Sequence, residues 1–176
     1  MDSNRAKQVE LALRKVFAEK GFALSKLPWV MAQVAHESGG FKSRVSGTNN
    51  MSGIKYVPGN KFGAVRGLLS PEGDYYAAYP DGVYYWAKQY MYEITKKSNP
   101  LAADTVHGFV DRLKQNGYFG NHKHGTDKGK AEQNAYLNAV LSWKKQISSF
   151  LKMNWPEVAG GSLLFIALVI FFVTTK

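Results

Sequence analysis

Apolar residues recur at helical spacing through most of residues 1–152, with one interruption near the middle of the chain. Val9, Leu13, Val16 and Phe17 share one face, Asp2 or Ser3 can cap the stretch, and Gly21 ends it. A second, shorter helix opens with Pro28 in its first turn and carries Val30, Met31, Val34 and Ala35 up to Glu37. From Ser46 to Pro80 the helical period is lost, and glycines at 47, 53, 59, 63, 67 and 73 punctuate the segment. The turn Ser70-Pro71-Glu72-Gly73-Asp74 separates Ala64–Leu69 from Tyr75–Tyr79, which predicts an irregular hairpin. Helical spacing then returns. Asp81 can cap a stretch with Val83, Trp86, Tyr90, Met91 and Ile94 inside, and Asp104 or Thr105 one with Val106, Phe109, Val110 and Leu113, closed by Gly117. Asn121 to Lys130 is expected to be a basic loop. A last helix is expected from about Ala131 to Lys152, with Leu137, Val140, Leu141, Ile147 and Leu151 on its inner side.

Beyond that helix the pattern changes kind. Asn154-Trp155-Pro156-Glu157 breaks it, and residues 158–175 carry no charge and no polar face. At 1.5 Å per residue this run makes a helix of roughly 27 Å, just long enough for a bilayer core. Trp155, Lys152 and Lys176 flank it as membrane anchors do. The expected division is a domain over 1–152, a juxtamembrane linker over 153–157 and a transmembrane helix over 158–175. The first twenty residues are polar and charged and lack the hydrophobic stretch of a signal peptide.

A chain of 176 residues with 45% hydrophobic and 14% aromatic content is a folded protein of about one domain. The net charge of +10 favours an anionic partner such as nucleic acid, lipid headgroups or a wall polymer. The basic residues are spread along the chain and no nucleic-acid motif accompanies them, so a specific nucleic-acid partner is not expected. With no cysteine, disulfide and thiol chemistry are excluded. His122-x-His124 with Asp127 lacks a helix-positioned pair, so neither a metal nor a cofactor is expected. Lys114, Lys123, Lys128 and Lys130 read as a solvated or wall-facing basic surface.

The segment Val34-Ala35-His36-Glu37-Ser38-Gly39-Gly40-Phe41 puts an acid where an apolar helix gives way to a flexible, open turn. Apolar surroundings raise a carboxyl pKa and suit a general acid, so Glu37 is the candidate catalytic residue. Its ordinary alternative is a helix-end carboxylate paired with Lys42 or Arg44. Asn49 and Asn50 offer amides to a sugar's N-acetyl and hydroxyl groups, or else form a tight turn.

The order of Ala32 to Gly39, then Asn49-Asn50 with Gly53-Ile54-Lys55, then Tyr79-Pro80-Asp81, then Leu113 to Tyr118 resembles the bacterial and phage glucosaminidases of glycoside hydrolase family 73. The resemblance covers roughly residues 8–150, and the histidine before the acid looks most like phage versions. It implies a mainly α, lysozyme-like α+β fold: a helical domain with a small β-hairpin lobe, here followed by the C-terminal transmembrane helix. It also implies cleavage of peptidoglycan between N-acetylglucosamine and N-acetylmuramic acid, with Glu37 as the acid, Asn49 and Asn50 on the cleft floor and Tyr118 on its wall. Tyr118 otherwise reads as a core aromatic.

The chain departs from the family at the second acid. Where many members carry a glutamate in the hairpin, Val65 to Ser70 holds no acid. Glu72 and Asp74 lie nearby, either as base or nucleophile or as solvated turn charges. Without them, the substrate's acetamido group, or the muramic C6 hydroxyl in a transglycosylase reaction, would serve. The competing reading is a catalytically silent wall-binding or membrane scaffold. The expected partners are peptidoglycan and a lipid bilayer. Lys144, Lys145 and Lys152 before the anchor, against Lys176 after it, would keep the domain cytoplasmic in a cell. A virion membrane of a phage resolves that conflict with an extracellular wall, and a bacterial envelope with late translocation is the other expected location.

Overall fold

The computed structural model describes residues 1–154. It is mainly helical, with a small two-stranded antiparallel sheet. The helices are α1 (Ser3–Lys20), α2 (Leu27–Glu37), α3 (Val83–Thr95), α4 (Val106–Gln115) and α5 (Asp127–Asn154), and the strands are β1 (Val65–Leu69) and β2 (Tyr75–Ala78). Short 3-10 turns occupy Leu24–Lys26, Arg44–Thr48 and Pro100–Ala102. Among the described residues no helix is long and apolar enough to cross a membrane. The anchor expected at 158–175 lies outside the described residues.

The core is built around α2. Val30, Met31, Ala32, Gln33, Val34 and Ala35 are all fully buried, and six consecutive residues point in every direction around a helix. Such a helix has no solvent face and must be enclosed by others. α5 packs along it most extensively and α1 lies on another side, itself backed by α3. α5 contributes Tyr136, Leu137, Val140, Ile147 and Phe150, and α1 contributes Val9, Leu13, Val16 and Phe17. Each fully buried Val, Leu or Met contributes about 1.5–3 kcal/mol.

The ends of the helices follow local chemistry. The Asp2 carboxylate accepts from the Arg5 N–H at 3.0 Å and the Thr105 hydroxyl from the Gly108 N–H at 3.1 Å, each filling a donor that the first turn leaves open. Asp81 does not cap α3. Gly82 holds that position at φ 107°, with no side-chain bond. The last helix starts at Asp127, earlier than its apolar spacing shows, because Thr126 accepts from the Gly129 N–H at 3.1 Å. Leu141, expected inside, is exposed, and Tyr136 takes an inner position instead. The long polar face of α5 obscures its first turn and shifts its apparent stripe.

The hairpin pairs Val65 with Ala78, Arg66 with Ala77 and Leu69 with Tyr75, with an irregularity between Arg66 and Leu69. Segment 54–56 runs along the free edge of β2. The Ala77 N–H donates to the Ile54 carbonyl at 2.8 Å and the Tyr56 N–H to the Tyr75 carbonyl at 2.7 Å. Short hairpins are marginal alone, and this third strand-like partner ties the lobe to the helical body.

Gly129 is the tightest of the described glycines. A Cβ there would sit 2.1 Å from the Lys123 carbonyl oxygen, which itself accepts from the Thr126 N–H and hydroxyl. Alanine is the better helix former elsewhere, but here it displaces a bonded carbonyl. Gly129→Ala is expected to destabilise the protein by about 1–3 kcal/mol, read as a lower urea midpoint with an unchanged slope.

Candidate active site

The site is built where α2 runs out. Three successive residues after it, Gly39, Gly40 and Phe41, have φ of 57°, 74° and 66°. Glycine takes this left-handed region freely, whereas Phe41 does so at a cost of about 1–3 kcal/mol, offset by burial of its ring. The turn is open in direction but not loose. The Ser38 hydroxyl donates to the Val34 carbonyl at 2.7 Å and accepts from the Phe41 N–H at 2.9 Å. The Gly40 N–H donates to the Ala35 carbonyl at 2.7 Å, and the Gly40 carbonyl accepts from the Asp2 N–H at 2.9 Å. Gly40 is also where the Trp143 ring of α5 packs, 2.6 Å from where a Cβ would stand. The sharp exit from a buried helix thus delivers Glu37 to the surface at a fixed place.

Glu37 is exposed, so the apolar enclosure expected for it is absent on its open side. Its fixed contact comes from behind: the Tyr136 hydroxyl of α5 donates to Oε1 at 2.5 Å. Tyr136 is itself clamped, stacked on Phe119 at 3.8 Å and edge-on to His36 at 4.9 Å. Burial and then the Glu37 charge push the Tyr136 hydroxyl well above its ordinary pKa, so it stays a donor. The fully buried Tyr90 donates to Oε1 of Gln33, whose amide lies beside the Tyr118 and Tyr136 hydroxyls. Glu37 therefore stands on a wall of phenols.

In front of Glu37 lies an open cleft of about 530 Å³ between the helical body and the hairpin lobe. Ser52, Gly53, Ile54, Lys55 and Val57 form one side, and Gln89, Glu93, Lys96 and Lys97 at the end of α3 the other. Gly117 and Tyr118 close it. Tyr118 reaches this place because Gly117, at φ 71°, ends α4 with its N–H on the Lys114 carbonyl and the Tyr118 N–H on the Leu113 carbonyl. Burial first, then the Glu37 charge, raise the Tyr118 hydroxyl far above its ordinary value.

The residues expected at the site are thus partly gathered and partly dispersed. Glu37 and Tyr118 share the cleft. Asn50 is fully buried beneath it, and its amide is spent on the protein: Nδ2 donates to the Ile54 and Ala77 carbonyls, and Oδ1 accepts from the Ile54 N–H at 3.0 Å. Asn49, at φ 60°, donates to the Tyr79 carbonyl and accepts from Arg5. Both asparagines shape the turn that carries the cleft floor, and neither lines the cleft. Glu72 stands on the hairpin turn, 65% exposed, 2.8 Å from Lys55 Nζ. The Lys55 ammonium, with the Ser70 hydroxyl, holds the Glu72 carboxyl down at about 2. The Asp74 carbonyl closes the same turn by accepting from the Ser70 N–H. Neither acid is among the residues lining the cleft.

Two residues escaped the sequence reading. Tyr136 lay off the stripe drawn for the last helix, and Glu93 reads as an ordinary polar position on α3. Lys114, expected on a solvated surface, is buried, with its side chain 1% exposed. It pairs with Glu132 at 2.5 Å because the loop after α4 folds back over it. Glu132 also accepts from the Asn121 and His122 N–H groups and from the His122 ring. His124 meets Asp111 at 2.7 Å. The two histidines thus each face a carboxylate of the helical body, and among the described residues no group of three His, Cys, Asp or Glu side chains is placed to hold a metal.

Two outcomes follow from these contacts. Tyr136→Phe keeps the stack on Phe119 and loses the hydroxyl's contacts with Glu37 and Gln33, so it should cost about 1–2 kcal/mol in urea unfolding. Tyr136→Ala should cost about 3–5 kcal/mol. Glu132 has a folded pKa well below its ordinary value, lowered first by Lys114 and then by His122. Its contribution is therefore complete above the unfolded value of about 4.5 and is lost as pH falls through the folded one. Glu132→Gln should lower the melting temperature at pH 7, and the gap from wild type should shrink steadily below about pH 4.5.

No family model matches the chain, and no curated protein does. Among solved structures it is similar to the glycoside hydrolase domain of FlgJ from Salmonella typhimurium, with a TM-score of 0.54 and 17% identity. The similarity spans 88% of this chain and 98% of that domain. At that identity the likeness is one of overall fold, shared over most of both chains.

Proposed function

We propose that the protein is a peptidoglycan hydrolase that cuts glycan strands between N-acetylglucosamine and N-acetylmuramic acid, with Glu37 as general acid. The observation that carries this reading is the position of Glu37. It is the last residue of a buried helix, it opens on the cleft, and a buried tyrosine holds one of its oxygens. A carboxyl fixed by one oxygen presents the other to a substrate, which is what protonation of a glycosidic oxygen needs. The glycoside hydrolase fold supports the same chemistry. Tyr118 and the Gly53–Lys55 segment flank the acid, where a sugar ring would stack and meet backbone groups.

The same proposal includes anchoring through residues 158–175, in a phage virion membrane or a bacterial envelope. The uncharged C-terminal run and its Trp155, Lys152 and Lys176 flanks support it. Recovery of the chain with the membrane of purified particles after alkaline washing is the expected outcome, and its absence from particles would remove the virion role.

Full-length protein and the Glu37→Gln variant, each incubated with purified peptidoglycan, test the central claim. Mass spectrometry should find soluble glycan fragments from wild type, released about 10²–10⁴-fold more slowly by the variant. Fragment end groups would identify the bond. Wall binding without release by either protein would establish the silent scaffold instead.

A further inference from the structure

The cleft contains a second carboxylate, and it comes from the helical body and not from the hairpin. Glu93 lies on α3 one turn after Gln89, and both face the space that Glu37 opens on. The hairpin acids are placed otherwise. Glu72 stands on the exposed turn, and neither it nor Asp74 lines the cleft. Glu93 is about one-third exposed, and Lys96, one turn on, takes its Oε2. A helix holds a side chain more steadily than a hairpin tip does, and Lys96 restrains it further. Electrostatics agree with this placement. The Tyr118 hydroxyl is raised first by burial, then by Glu37, and also by Glu93, so one phenol at the cleft wall is within reach of both acids.

We propose that Glu93 is the second catalytic carboxylate, acting as general base opposite Glu37, an assignment that rests on the glycosidase reading. Glu93 takes a proton from a water in the cleft as that water's oxygen bonds to the anomeric carbon. The bond from that carbon to the bridging oxygen breaks, and its electron pair goes to the oxygen, which takes the proton of Glu37. One water is consumed, Glu93 ends protonated, Glu37 ends ionised, and a proton passing between them through solvent restores the pair. A base of this kind requires room for water beside it, and both carboxyls line one open cleft. The attack comes from the face opposite the leaving group, so the product has inverted configuration.

Full-length wild type, Glu93→Ala and Glu72→Ala are compared on purified peptidoglycan, with circular dichroism checking that each variant is folded. Fresh wild-type product, read by proton NMR, should carry the inverted anomer. Glu93→Ala should be slowed about 10²–10⁴-fold, and azide should restore part of the rate and appear as a glycosyl azide in the mass spectrum. Azide replaces the activated water without needing a base, a rescue that lost packing would not show. Glu72→Ala should show no azide product. A retained anomer, an anhydro-muramic product, unchanged turnover in Glu93→Ala, or loss without azide recovery would each overturn the assignment while leaving glycan cleavage standing. If wild type releases no fragments, the hydrolase reading fails first and the assignment with it.

Discussion

A helix with no solvent-facing side imposes its terms on everything around it. Val30 to Ala35 of α2 are buried on all sides, so α1 and α5 must lie against it, and the chain must leave it abruptly. An abrupt exit leaves carbonyls and N–H groups to satisfy. Ser38 and the left-handed run from Gly39 to Phe41 do this with short local bonds, helped by the Asp2 N–H at the start of α1. The result is a residue, Glu37, that belongs to a rigid helix yet meets solvent. The geometry of the acid follows from the burial of the six residues before it.

The same logic explains why the wall behind Glu37 is aromatic. A fully buried helix next to a surface carboxylate needs neighbours that are apolar in body and polar at the tip. Tyr90, Tyr118 and Tyr136 meet that need, and burial together with nearby carboxylates keeps their hydroxyls protonated as donors. Phe119 stacks on Tyr136 from the loop that Glu132 and Lys114 fasten to the body. The position of the acid is therefore coupled, through one ring stack, to the Lys114–Glu132 ion pair. That pair is half-buried and multiply hydrogen-bonded, which sets it apart from the exposed lysine–glutamate contacts elsewhere in the chain.

Charge is distributed to match. The chain carries a net +10, and three lysines, Lys55, Lys96 and Lys97, border the cleft. Lys55 and Lys96 each hold a glutamate, while Lys97 donates to the Asn116 carbonyl. Lysines thus border a cleft that Glu37 and Glu93 also line. The field at the cleft mouth is therefore positive, with Glu93 already paired to Lys96 within it.

Much of this was written in the order of residues. Helical spacing, caps and glycines gave the helices and the hairpin to within a few residues, because those signals act locally. The acid at the end of the second helix and the tyrosine after Gly117 were legible for the same reason: each stands within two residues of a glycine that redirects the chain. What lies across the fold was not. Tyr136 is ninety-nine residues from Glu37, and no local pattern ties them. Glu93 is an unremarked polar residue on a helix until α3 is set beside the hairpin lobe. The asparagine pair could serve a sugar or a turn by composition alone, and the Ile54 and Ala77 carbonyls decided how Asn50 is used. Lys114 looks like surface charge until the following loop folds over it. The sequence by itself determined the elements and the place of the first acid, since these depend on neighbours within a turn or two. Which side chains hold that acid, and which carboxylate shares its cleft, depends on packing between distant elements, and only the tertiary structure decided it.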